Sequence, residues 1–167
     1  MPGSITFTPI GVVRTPFPEH AGMPIQTVAA PGVRGTVELD PAYAAALADL
    51  DGFSHLHLIT HLHRTGGVSL RVTPYLDTVE RGVFATRSPK RPNPIGLSLV
   101  RLVGIEGTTL HVEELDLLDG TPVLDIKPYV PPFDEREGAR YGWFEQRAHN
   151  VHSVRVDARF AEPTEPD

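Results

Sequence analysis

The chain has 167 residues, about one domain's worth, with room for a single sizeable core. Fifteen Lys and Arg stand against 21 Asp and Glu, a net charge of -6, so no general attraction to nucleic acid or anionic membrane is expected and any nucleic-acid contact must be local. There is no cysteine, which excludes disulfides, thiolate metal sites and cysteine nucleophiles and is compatible with a reducing cytosol.

The start, "MPGSITFTPIGVV", lacks a basic region followed by a long apolar run, and proline or charge breaks every later apolar stretch short of membrane-spanning length. A soluble, cytoplasmic protein without membrane association is expected. "ITFTPIGVV" and "VRGTVEL" are short and β-branched in the manner of strands, with a Pro-containing loop from Pro16 to Pro31 between them. "PAYAAALADL" predicts a helix, capped by Asp40, with Pro41 in its first turn and Gly52 just past its end.

"FSHLHLITHLH" has period two, and "SLRV" and "GVFAT" are also strand-like. From Ile95, "IGLSLVRLVGIEGTTLHVEEL" reads as two strands joined around Glu106 and Gly107, a hairpin. "TPVLDIKPY" predicts a further strand, "ARYGWFEQRAHN" a short helix despite Gly142, and "VHSVRVDAR" a closing strand; residues 161–167, "AEPTEPD", read as a disordered acidic tail. Seventeen prolines punctuate many short elements, and regular strand-helix alternation is lacking. The expected fold is therefore mainly β, one barrel or strongly curved sheet over residues 1–160 with a few short helices.

Four histidines, His55, His57, His61 and His63, alternate with leucines, so a strand puts them on one face with Ile59 while Leu56, Leu58 and Leu62 face the core. Alternating imidazoles can chelate a metal, but His55 and His63 would stand about 26 Å apart at strand rise, so all four cannot share one ion. No metal is expected. His63, at the strand end next to Arg64, is the functional candidate because strand ends border clefts.

No GxGxxG, Walker loop or GxSxG is present, which removes the usual sequence support for a Rossmann site, a P-loop or a nucleophile elbow. Two other stretches carry chemistry. In "FATRSPKRPNPIG", Arg87, Lys90 and Arg91 can neutralise carboxylate or phosphate, while Pro89, Pro92 and Pro94 stiffen the loop, so that binding there orders little; a solvated surface crossover is the plainer alternative. In "LDLLDGTPVLDIKPYVPPFD", Asp116, Asp119 and Asp125 collect negative charge suited to an ammonium or sulfonium group, unless they merely shape a turn. A basic loop and an acidic turn together suit a zwitterionic ligand.

"GVFATRSPKRPNPIGLSLVRL" and "LDLLDGTPVLDIKPYVPPFD" closely resemble the signature blocks of the TsaA-like (TrmO, YaeB-like) family. Weaker similarity over "IGVVRTPF" and "GFSHLHLI" extends the match to residues 5–134. The resemblance implies a non-Rossmann β-barrel methyltransferase, usually a homodimer, that uses S-adenosylmethionine. It also implies a tRNA partner, whose threonylcarbamoyl-adenosine beside the anticodon is methylated on its exocyclic nitrogen.

Carried over by position, the family's cofactor contacts fall on Pro24, Ile25, Gln26, His63, Arg64, Arg87, Leu99, Leu115, Asp116, Leu117 and Leu118. Ile25 stands where the better-known bacterial members have arginine, and Arg64 where they have glutamine. In this reading Arg87 orients a carboxylate, Asp116 accepts from ribose, adenine or amine, and Leu99, Leu115 and Leu117 flank the adenine. Arg87, Lys90, Arg91 and Asn93 face the substrate. A ureido nitrogen needs a base before it attacks, and His63, Asp125, Lys127 and Tyr129 are the candidates.

The resemblance further implies that the chain ends about where longer members begin an additional C-terminal domain that helps with tRNA. That departure and the net charge leave two alternatives: a methyltransferase of the same fold acting on a small molecule, or a non-catalytic S-adenosylmethionine-binding module.

Overall fold

A computed structural model describes residues 3–157 and 160. Six antiparallel strands close into a barrel: β1 (Gly11–Arg14), β2 (Arg34–Leu39), β3 (His55–His61), β6 (Ile95–Glu106), β7 (Thr109–Glu113) and β8 (Pro122–Pro128), in the order β1-β2-β7-β6-β3-β8. A two-stranded ribbon, β4 (Arg71–Val72) with β5 (Arg81–Gly82), stands apart from it. The fold is mainly β, as the sequence predicts. Among the described residues no helix is long and apolar enough to cross a membrane.

Inward positions follow the period-two pattern. Leu56 and Leu58 on β3, Val100 on β6, Leu110 and Val112 on β7, Val37 and Leu39 on β2, Val13 on β1 and Val123 on β8 form one buried cluster. The histidines at 55, 57 and 61 take the outer face, as read. Their neighbours show the same phase: Leu56 pairs with Val100 and Leu58 with Ser98 inside, while His57 pairs with Leu99 and Ile59 with Leu97 outside. A bulge in the pairing between Ile59 and Thr60 lets β8 contribute Val123 inside and Asp125 outside.

Two close approaches seal the wall. A Cβ at Gly35 would lie 2.1 Å from the Arg14 carbonyl oxygen, and one at Gly96 would lie 2.4 Å from the Thr60 hydroxyl, so only glycine lets these strands meet as they do.

Several predicted elements take other forms. Residues Pro41–Leu47 wind as a 3-10 helix instead of an α-helix, although Asp40 does cap it by accepting from the Ala42 amide at 2.8 Å. The alanines stay exposed; of this stretch only Leu47, at the end of the helix, and Leu50, in a separate 3-10 turn beyond the left-handed Asp49, pack against the core. The stretch "GVFAT" gives only the end of β5 before a 3-10 turn, Val83–Ala85. "ARYGWFEQRAHN" gives two 3-10 turns, Gly142–Gln146 and Ala148–Asn150, with Gly142 at φ 56°.

The predicted closing strand does not join the barrel, whose strands already pair on both edges. Among its described residues, 151–157, it makes one antiparallel bridge, Arg155 with Pro24. A short α-helix, α1 (Pro131–Asp134), follows β8. The predicted tail, 161–167, lies outside the described residues.

Candidate functional site

Because neighbouring strands run antiparallel, the C-terminal ends of β1, β3 and β7 and the N-terminal ends of β2, β6 and β8 share one end of the barrel. Three connections therefore gather there: residues 15–33, 62–94 and 114–121. They hold Pro24, Ile25 and Gln26; His63, Arg64, Arg87, Lys90, Arg91 and Asn93; and Leu115 to Leu118. Topology alone brings the scattered motifs to one mouth.

At its centre Asp116 Oδ1 accepts from the Ser98 hydroxyl at 2.6 Å. Ser98 is an inward residue of β6, opposite Leu58, so the carboxyl is held against the top of the barrel core. Burial pushes Asp116 up to about 6, against the opposing pull of the Ser98 hydroxyl and the Arg87 charge. Arg87 in turn donates from Nη1 to Gln26 Oε1 at 2.6 Å, tying the early loop to the basic loop. Arg64 donates to the Pro18 carbonyl, a second tie between loops.

Not every cation of the basic loop is presented outward. Arg91 Nη1 donates to the carbonyls of Thr86 (2.8 Å) and Ser88 (3.1 Å), and its guanidinium lies 5.9 Å from the centre of the Phe84 ring. Arg91 thus shapes the loop. The Lys90 carbonyl accepts from the Ser69 amide and the Asn93 carbonyl from the Ile95 amide, so backbone bonds brace the rest. Arg87 and Asn93 are exposed, and Lys90 is half-buried.

Leu115, Leu117 and Leu118 are buried, the first two within the barrel core, and so offer the mouth their backbone more than their side chains. Leu99 points the other way. It lies on the outer face of β6, paired with His57, on the side opposite Ser98.

The structure brings His63 to the mouth but separates the other base candidates from it. Asp125 is on the outer face of β8 opposite Ile59 and pairs with Lys127 Nζ at 2.8 Å. Tyr129 lies past the far end of β8, where its amide donates to the His55 carbonyl. Its hydroxyl donates to Glu135 Oε1 at 3.0 Å, and that carboxylate raises the phenol's pKa, which disfavours it as a base. From Pro122 to Tyr129 is about 23 Å of extended chain, too far for one chain to join Tyr129 and Asp116.

Sequence reasoning missed Ser98 and Thr27. The first reads as one more small residue of a strand. The second, in the 3-10 turn Thr27–Ala29, has a backbone group that bonds to Asp116 and favours its charged form. Among the described residues no three His, Asp or Glu side chains are grouped to hold a metal ion.

A family model described as the tRNA-methyltransferase O N-terminal domain matches residues 12–135. The chain is 49% identical over 160 residues to a probable S-adenosyl-L-methionine-binding protein of Pyrococcus abyssi, covering 96% of this chain and 87% of that one. It is 42% identical over 138 residues to the tRNA (adenine(37)-N6)-methyltransferase of Escherichia coli, covering 77% of this chain and 59% of the relative. The crystal structure of TrmO from Pseudomonas aeruginosa superposes with a TM-score of 0.71 at 43% identity, covering 84% of this chain and 63% of that one. The chain thus spans about three fifths of the length of these two bacterial proteins.

Proposed function

The chain belongs to the tRNA-methyltransferase O N-terminal domain family, and from that premise we propose that it is an S-adenosylmethionine-dependent N-methyltransferase. Its acceptor is the exocyclic nitrogen of threonylcarbamoyl-adenosine beside the anticodon of tRNA, which sets the protein in the cytoplasm. The observation that carries this reading is the desolvated Asp116 carboxyl at the barrel mouth with Arg87 beside it. A zwitterionic cofactor needs one partner of each sign within a single site, and these two residues supply them.

When bound, S-adenosylmethionine supplies a methyl group already activated on a positively charged sulfur. Arg87, oriented by Gln26, pairs with a carboxylate. Asp116, held by Ser98, accepts from an ammonium or a ribose hydroxyl. His63 takes the proton of the acceptor nitrogen, since it alone of the base candidates stands at the mouth in the same chain. The stiff loop from Arg87 to Pro94 fixes the acceptor and excludes water. Arg64, Arg87 and Lys90 give an acidic protein one local basic track for the phosphate backbone.

The test is incubation with S-adenosylmethionine and tRNA carrying threonylcarbamoyl-adenosine, followed by nucleoside mass spectrometry. A new methylated form of that nucleoside, absent with Arg87→Ala, is expected. Cofactor binding without that product would move the acceptor to a small molecule or leave a binding module.

A further inference from the structure

The C-terminal segment beyond residue 135, outside the part that the family model matches, lies across the two loops that carry Gln26 and Arg87. Trp143 Nε1 donates to the Ala85 carbonyl at 2.7 Å, just before Arg87 in the chain. On the other side, the Val156 amide donates to the Met23 carbonyl at 2.9 Å, the Gly22 amide donates to the Val156 carbonyl at 3.2 Å, and Arg155 bridges Pro24, just before Gln26. The segment therefore holds each loop by its backbone next to the residue that reaches across to the other. Gln26 and Arg87 close the ring at 2.6 Å.

The segment has anchors of its own. Asp77, whose side chain is shut from solvent, accepts from Arg81 at 2.8 Å and pairs with Arg147 at 3.6 Å. The Arg81 guanidinium in turn lies 5.6 Å from the centre of the Trp143 ring. Val151 is buried, and Phe160 joins Val72 and Val83 in a second apolar cluster with Tyr75 against it. These contacts fix the segment to the β4–β5 ribbon rather than to the barrel, so its grip on the loops does not depend on barrel packing.

Resting on the cofactor-site reading above, we infer that residues 141–157 are a positioning strap for the cofactor and that Trp143 is its positioning residue. The strap sets the spacing of the early and basic loops, and so the direction in which Arg87 presents its guanidinium. Ordering both loops before binding lowers the cost of binding without touching the reacting atoms.

The experiment measures S-adenosylhomocysteine and S-adenosylmethionine binding by calorimetry, with steady-state kinetics, for the wild type and Trp143→Phe. Phenylalanine keeps an aromatic ring beside Arg81 and removes the N–H together with part of the indole's contact area. The expected result is a dissociation constant and a cofactor KM raised about 3- to 10-fold, the range one neutral hydrogen bond supplies, with kcat at saturating cofactor unchanged. Hydrogen exchange on the wild type should show the Gly22 and Val156 amides slowing when S-adenosylhomocysteine is added. Unchanged affinity in Trp143→Phe together with unaltered exchange at those amides overturns the strap. A wild type that binds neither ligand overturns the cofactor-site reading instead.

Discussion

Asp116 ionises at about 6 because burial outweighs its hydroxyl donor and the neighbouring Arg87 charge. Its ordinary value is 3.8, so between those two pH values the folded chain holds a proton that the unfolded chain has released. Stability from this group is thus greatest below pH 3.8 and declines as pH rises to about 6, a penalty on the order of 3 kcal/mol at neutral pH. A bound cation repays the ionised form, so S-adenosylmethionine affinity should drop as pH falls below about 6. Asp116→Asn should bind at least about 10-fold more weakly, with a flat pH profile, yet melt at a higher temperature than the wild type at pH 8. Calorimetry from pH 5 to 8 and thermal melts check this; a flat wild-type profile would remove Asp116 from the cofactor's charged groups. The acid was legible in the sequence through the resemblance of "LDLLDG" to a family block, in which Asp119 and Gly120 mark the turn that follows it. Ser98 was not, because its partner is distant in sequence and nothing local marks an inward serine.

Period-two reading worked where a strand has one wet and one dry face, as in β3, and failed where the side chains do not impose a period. Ala44 to Ala46 bury nothing and only Leu47 of the helix packs against the core, so no apolar stripe of α-helical period anchors the segment and helix propensity alone does not decide its winding. "VHSVRVDAR" alternates well enough for a strand, but a closed barrel has no free edge to receive it. Within the barrel, Glu113 on β7 is flanked by Arg34 of β2, 2.8 Å away, and Arg101 of β6, its register partners on either side. The two guanidiniums hold its pKa below the ordinary 4.5, so its contribution is present above that pH and lost as pH falls through the lowered value. Glu113→Gln should therefore lower the melting temperature at pH 7, and that difference should shrink as pH falls below 4.5, measured by circular dichroism. At the mouth, Gly96→Ala drives a methyl into Thr60 and Leu62 and should cost about 1–3 kcal/mol in urea unfolding. A cost below that range would mean that β3 and β6 can part without strain.

The barrel's closure order decides what one chain can do alone. It collects the cofactor candidates at one mouth but sends Lys127 and Tyr129 toward the other end. The outer face of β6 meanwhile carries Ile95 and Leu97, 46% and 52% exposed, with Leu99 and Ile59 alongside. This apolar stripe runs along β6 from the mouth, with Asp125 and Lys127 on β8 one strand beyond β3, and the homodimer that the family resemblance implies would set a second copy's stripe and base candidates against it. A homodimer across this face is the reading that gives Leu99, Lys127 and Tyr129 a place near a cofactor, and its two-fold symmetry would pair the same patch with itself. Leu97→Glu should convert a dimer into a monomer in sedimentation at micromolar concentration. The monomer should stay folded, because position 97 faces solvent in the single chain, while methyl transfer falls about 100-fold or more if a partner supplies an acid or base. Mixing Arg87→Ala with Lys127→Ala chains, each inactive alone, decides the matter further: recovered activity requires a site built from two chains. A wild type that sediments as a monomer with full activity would leave His63 to work alone and make the stripe irrelevant to catalysis.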